Sequence, residues 1–103
     1  MIKLVFFVPE EFKEKVKNEL FKIGAGKIGH YDCCAFETKG RGQFRANNQA
    51  KPFIGEIGEL EYVSEFRVEL VLNEDLMPMV EKKLLEIHPY ETPAYEFYRL
   101  LNK

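Results

Sequence analysis

A chain of 103 residues with 46% hydrophobic, 14% aromatic and 31% charged side chains fits one globular domain, residues 1–103, burying roughly 60–70% of its unfolded surface. Its net charge of −2 supplies none of the basic excess that nucleic-acid binding requires. No apolar run reaches the roughly 18 residues of a membrane span, the N-terminus shows no basic leader or small-residue cleavage site, and two adjacent cysteines make no disulfide framework. The expectation is a cytoplasmic protein with neither nucleic acid nor membrane as a partner.

In chain order, Ile2–Val8 is apolar at nearly every position, the pattern of a central strand covered on both faces. Pro9 suits the first turn of a helix, and Glu10 and Glu11 complement its positive end. Phe12, Val16, Leu20 and Ile23 recur at helical spacing, so an amphipathic helix of about four turns is expected. It ends at Gly24-Ala-Gly26, which tolerates positive φ. Tyr31–Thr38 then reads as a strand, with Cys33 and Cys34 on opposite sides. Gly40–Arg45 reads as a turn and return, and 46–58 as a long irregular loop anchored by Phe44 and Phe53-Ile54. A loop of that length in a small domain is commonly functional or an assembly element.

The alternation in Glu61–Leu72 is the cleanest of the chain. Tyr62, Phe66, Val68, Leu70 and Leu72 point to one side, and Glu65, Arg67 and Glu69 to the other. A second helix is expected from an Asp75 cap, with Pro78 in its first turn, to Ile87. Its apolar residues Met79, Val80, Leu84 and Ile87 should pack on the sheet. His88-Pro89 ends it, and Ala94–Leu100 forms the last strand. The order of strand, helix, two strands, helix, strand predicts an α+β, ferredoxin-like antiparallel sheet with both helices on one face. Val5, Phe7, one cysteine and part of Tyr95/Phe97 would then lie on an open, apolar face suited to assembly.

Four stretches carry a family resemblance: Gly24–Cys34, Thr38–Arg45, Pro52–Gly55, and His88-Pro-Tyr-Glu-Thr-Pro-Ala-Tyr95. In this order, spanning essentially the whole chain, they resemble the YqfO-type domain. That domain stands alone in some bacteria and is inserted in larger NGG1-interacting-factor-like proteins whose outer shell binds two metals. The resemblance implies a PII/CutA-like fold, a homotrimer and clefts between subunits. The His-Pro-Tyr-Glu segment followed by Pro is also similar to CutA. His30 departs from the family's usual Asn, and Ala46-Asn47 from its Pro-Leu. The shell's metal-ligand segments are absent, so a shell activity does not carry over.

Several residues are candidates for chemistry. Gly24-x-Gly-x-x-Gly29 follows a helix rather than a strand, so it reads as a turn and not as a dinucleotide fingerprint. Lys27, Lys39, Arg41 and Arg45, on glycine-rich backbone, are candidate anion contacts. Cys34 reads as a small core residue. A divalent metal ion is a candidate cofactor, with His30, Cys33 and His88 as ligands, although their spacing matches no recognised signature. Pro89 and Pro93 stiffen the loop that carries Tyr90 and Glu91, and Glu91 should accept backbone N–H groups from a glycine-rich loop or face a ligand. The cleft set is therefore Lys27, His30, Lys39, Arg41, Arg45, His88, Tyr90 and Glu91. The favoured function is a trimeric small-ligand-sensing or protein-interaction module without chemistry of its own. The alternatives are a CutA-like metal binder and an interface enzyme with Glu91 as acid/base and Arg45 as anion anchor.

Overall fold

The computed structural model describes residues 1–102. It runs β1 (Ile2–Pro9), α1 (Glu10–Ile23), β2 (Phe36–Arg45), β3 (Leu60–Leu72), a 3-10 turn (Glu74–Leu76), α2 (Met77–Ile87) and β4 (Tyr95–Arg99). The strands form one sheet in the order β2-β3-β1-β4 with every neighbouring pair antiparallel. This is the expected ferredoxin-like plan.

Strand parity builds the core. Ile2, Leu4, Phe6 and Val8 of β1 join Val68, Leu70 and Leu72 of β3, Val16 and Leu20 of α1, and Val80 and Leu84 of α2 in one buried cluster. Each such side chain contributes about 1.5–3 kcal/mol on full burial. Tyr95 and Phe97 pack against this cluster, which corrects their expected place on the open face. Their partners across the ladder, Phe6 and Leu4, belong to the helix-facing set, and parity carries them along. On the other face Val5 is fully buried and Phe7 half-buried.

The helix ends follow local chemistry. Pro9 sets the N-terminus of α1 with φ −65°, and Gly24 closes it at φ 118°, its N–H reaching the Leu20 and Phe21 carbonyls. The second helix begins differently from the expectation. Asp75 sits inside the 3-10 turn and makes no cap, and α2 starts at Met77 with Pro78 in its first turn. Leu76 and Met77 therefore pack on the core, while Met79 is half-exposed.

The largest correction concerns β2. Gly40 and Gly42 are not a turn: the strand runs straight through them, paired with Glu65 and Val63 of β3. The segment expected to be a strand, from Tyr31, is a loop up to Ala35, held by an isolated bridge between Ile28 and Tyr31. Cys33 adopts φ 55°, outside strand geometry, and Cys34 is only half-buried, its thiol 3.6 Å from the Asp32 carbonyl. Neither cysteine enters the core.

Gly26 locks that loop to the sheet. Its N–H donates to the Val71 carbonyl at 2.7 Å, and its carbonyl accepts from the Cys34 N–H at 2.8 Å. At φ +81°, an added Cβ would sit 2.8 Å from the Phe21 ring and 3.0 Å from the Cys34 carbonyl oxygen, whereas at Gly29 (φ +57°) it would meet open space. Gly29→Ala should therefore cost only the left-handed backbone penalty, about 1–2 kcal/mol. Gly26→Ala should cost about 1–3 kcal/mol more through overpacking. Urea denaturation of the two variants measures both, and equal losses would show that Gly26 is not sterically confined.

Candidate functional site: a cleft on the open sheet face

Alternation along β2 sorts its side chains. Glu37 faces α1, where the Lys13 and Lys17 ammonium groups bond it at 2.5 and 2.9 Å. Arg41, four residues on, shares that side and lies over the Tyr62 ring at 4.6 Å. Thr38, Gly40, Gly42 and Phe44 consequently line the opposite face with Phe7 of β1 and Glu65, Arg67 and Glu69 of β3. The loop 46–58, through Pro52, Phe53 and Ile54, and the segment Tyr90–Ala94 complete a cleft of about 790 Å³.

The loop is docked on its own chain. Its neck is closed by Gly58 N–H donating to the Ala46 carbonyl at 2.8 Å. Phe53 packs edge-on against Phe12, with ring centroids 5.6 Å apart, and both Phe53 and Phe44 lie 6.4 Å from Tyr90. The Glu91 carboxylate accepts the Lys51 N–H at 2.8 Å. That is the backbone-accepting role expected of Glu91, with the donor in the long loop of the same chain.

His88 fixes the other wall. It is buried, only 6% exposed. The Tyr90 N–H donates to Nδ1 at 3.1 Å, so Nδ1 presents its lone pair, and the protonated Nε2 donates to the Phe7 carbonyl at 2.6 Å. Burial holds the imidazole below its ordinary pKa, against opposing contributions from the Phe7 carbonyl and Glu65. With both nitrogens engaged, His88 has no lone pair for a metal. Above it, the Tyr90 hydroxyl donates to the Glu65 carboxylate at 2.8 Å. Burial, and then that carboxylate, push the phenol well above its ordinary range, so it stays a donor. Gly42 makes room for this pair: a side-chain carbon there would overlap the Glu65 carboxylate.

Of the expected cleft residues, Tyr90 and Glu91 line the cleft, and Lys39 and Arg41 border it only from β2, their side chains turned to the helix side. Arg45, Lys27 and His30 are exposed and not part of it. The four basic residues expected to gather on an anion are therefore not brought together. His30, Cys33 and His88 are not brought together either, and among the described residues no group of three or more His, Cys, Asp or Glu side chains could hold a metal ion. Neither thiol is hydrogen-bonded to a histidine, and Glu91 and Arg45 do not share a site. Sequence reasoning missed Glu65, Thr38 and the room made by Gly42. The alternation of β3 already put Glu65 on the open face and was the signal for it.

The buried neutral His88 sets an acid limit. A group whose folded pKa lies below its unfolded value binds fewer protons when folded, so stability is complete above the unfolded value, near 6.5, and falls as pH drops below it. In His88→Leu this contribution should vanish below about pH 6.5. At neutral pH the variant should be less stable by about 1–3 kcal/mol, because the Phe7 carbonyl loses its donor. Denaturation midpoints across pH 5–8 test both, and an unchanged acid slope in the variant would remove His88 as its source.

Comparison with known proteins bears on the fold and on the sequence separately. No family model matches the chain. A Halalkalibacterium halodurans protein named GTP cyclohydrolase 1 type 2 homolog is 41% identical over 103 residues, covering 100% of this chain and 28% of the relative. A Bacillus subtilis protein of the same name is 46% identical over 96 residues, covering 93% and 26%. Among solved structures, a Bacillus cereus protein related to NIF3 superposes with a TM-score of 0.80 at 39% identity, covering 98% of this chain and 26% of that one. CutA1 from Pyrococcus horikoshii gives 0.72 at 24% identity, covering 98% and 84%. The PII-like protein CutA from Nostoc sp. PCC 7120 gives 0.72 at 16% identity, covering 99% and 83%. The chain spans about a quarter of the length of the curated relatives it matches, and its fold is the α+β, CutA/PII-like form of the ferredoxin-like sheet.

Proposed function

We propose that this chain is a YqfO-type, trimeric module that binds a small ligand in the cleft of its open sheet face and performs no chemistry of its own. The cleft carries the reading. It is large enough for a metabolite-sized molecule, partly enclosed by a docked loop, and its lining includes the rings of Phe7, Phe44, Phe53 and Tyr90. Its polar groups are engaged in holding the walls. Tyr90 bonds Glu65, Glu91 bonds Lys51 N–H, and Arg67 pairs with Glu69. The hydroxyl–carboxylate contact in the space, Tyr90 to Glu65, holds its proton on a phenol pushed well above its ordinary range, so it serves as a donor and not as an activated nucleophile.

Assembly is supported by surface that one chain leaves exposed. Phe36 at the start of β2 is 67% exposed and Tyr98 on β4 45%, both on the open face, where Phe36 pairs with Glu69 and Tyr98 with Lys3. β2 is also an unpaired edge of ten residues. Three copies closing these faces about an axis would cover them. The cyclohydrolase activity in the relatives' names is said of proteins nearly four times as long, and this module is proposed to serve such an activity as an accessory or sensing part.

Gly40 provides the test. It lines the cleft, and a side chain added there meets nothing within 4 Å. Gly40→Leu should fill the cleft, leave the fold intact, and abolish the fluorescence enhancement of the neutral apolar dye Nile red expected of the parent protein. Dye binding unaffected by the plug would place the ligand site elsewhere. Light scattering should give three times the chain mass of 12.1 kDa, and a strict monomer would refute the assembly. Phe53→Ser, which frees the loop, should lower stability by about 1–2 kcal/mol for a half-buried ring.

A further inference from the structure

Charge in the cleft is unevenly satisfied. Arg67 pairs with Glu69 at 3.4 Å, and Lys3 reaches the same carboxylate at 3.6 Å, so that group is neutralised twice over. Glu65 and Glu91 have no such partner: among the described residues no cationic side chain is paired with either. Glu65 is held by a phenol and Glu91 by a backbone N–H. Both carboxylates belong to the cleft wall. The basic residues flanking Gly40, the ladder partner of Glu65, are Lys39 and Arg41; strand alternation directs both to the opposite side of β2, and Arg41 is occupied on Tyr62.

Around these carboxylates stand aromatic rings. Phe44 and Phe53 are both tilted against Tyr90, at 49° and 46° with centroids 6.4 Å away, and Phe7 lines the same space. The Arg67 guanidinium already lies over the Phe7 ring, 5.9 Å from its centroid, whereas Phe44, Phe53 and Tyr90, set obliquely rather than stacked face to face, leave π-faces available to a guest. A cation over such a face gains about 0.5–2 kcal/mol. Rings that contribute negative potential, beside two carboxylates without counter-cations, select against anions and favour a positively charged organic group.

From these contacts we infer that the cleft is a site for a small organic cation, an alkylated ammonium or a guanidinium compound, seated among Phe44, Phe53 and Tyr90 with Glu65 as its counter-ion. The assignment rests on the proposed reading of the cleft as a ligand site and adds the chemistry of the ligand. Glu65 is the discriminating residue, because its carboxylate is tied to the ring that forms the centre of the aromatic group.

The test compares choline with its neutral isostere 3,3-dimethyl-1-butanol by titration calorimetry on the intact protein, with Gly40→Leu as the plugged control. Choline should bind at least about tenfold more tightly than the alcohol. Glu65→Gln, which keeps the shape and the Tyr90 contact, should erase most of that preference while leaving alcohol binding unchanged. Should Glu65→Gln misfold, Phe53→Leu should instead weaken choline selectively. Equal affinity for the two probes, lost in Gly40→Leu, overturns the cation assignment and leaves the cleft a ligand site of other chemistry. Failure of both probes and of the dye to bind overturns the cleft reading together with it.

Discussion

The imidazole of His88 is the joint on which the cleft depends. One ring nitrogen donates to the backbone of the central strand at Phe7 and the other accepts from the backbone at Tyr90. The end of α2, the proline-flanked loop and β1 are thereby bound through a single buried side chain. An amide or hydroxyl side chain can donate and accept, but the neutral imidazole does so at two ends of a rigid ring. This arrangement sets the position of Tyr90, and Tyr90 in turn touches Phe44, Phe53 and Glu65. Pro89 contributes by excluding helical geometry at His88, whose φ and ψ are −70° and 136°.

Much of the fold was legible because apolar periodicity reports directly on burial. β1, α1, β3 and β4 lie where their patterns put them, and the positive φ of Gly24 and Gly26 was readable from the residue type. The start of β2 was not legible. Glycine pairs usually signal turns, but Gly40 and Gly42 serve space rather than φ, since neither adopts a positive value. One lies under a carboxylate and the other opens onto the cleft. That reason belongs to the neighbouring strand and leaves no trace in local sequence.

The candidate site was legible in its loop and not in its walls. Tyr90 and Glu91 stood out because two prolines bracket them, and Glu91 took the backbone-accepting role that its setting suggested. The lysines and arginines were misjudged because proximity in sequence was given more weight than parity. In a strand, two residues side by side face opposite directions, so Lys39 and Arg41 could not join Thr38 and Gly40 in the same space. His88 was misjudged as a ligand because its burial, and with it the use of both nitrogens, depends on contacts 81 residues apart.

Parity in β3 has a consequence for how the protein tolerates change. Val68, Leu70 and Leu72 build the core, while Glu65, Arg67 and Glu69, on the same strand, build the cleft wall. Stability and recognition are thus carried by alternate residues of one element, with the backbone ladder shared between them. A half-buried carboxylate held by a phenol adds little to folding, because its desolvation offsets most of the gain from one hydrogen bond. Replacing Glu65 and Gly42 together by ordinary strand residues would give a better-packed sheet and close the space beside Tyr90. The chain instead keeps a glycine that weakens the strand so that an acid can lie across it, and the room this leaves lies within the cleft.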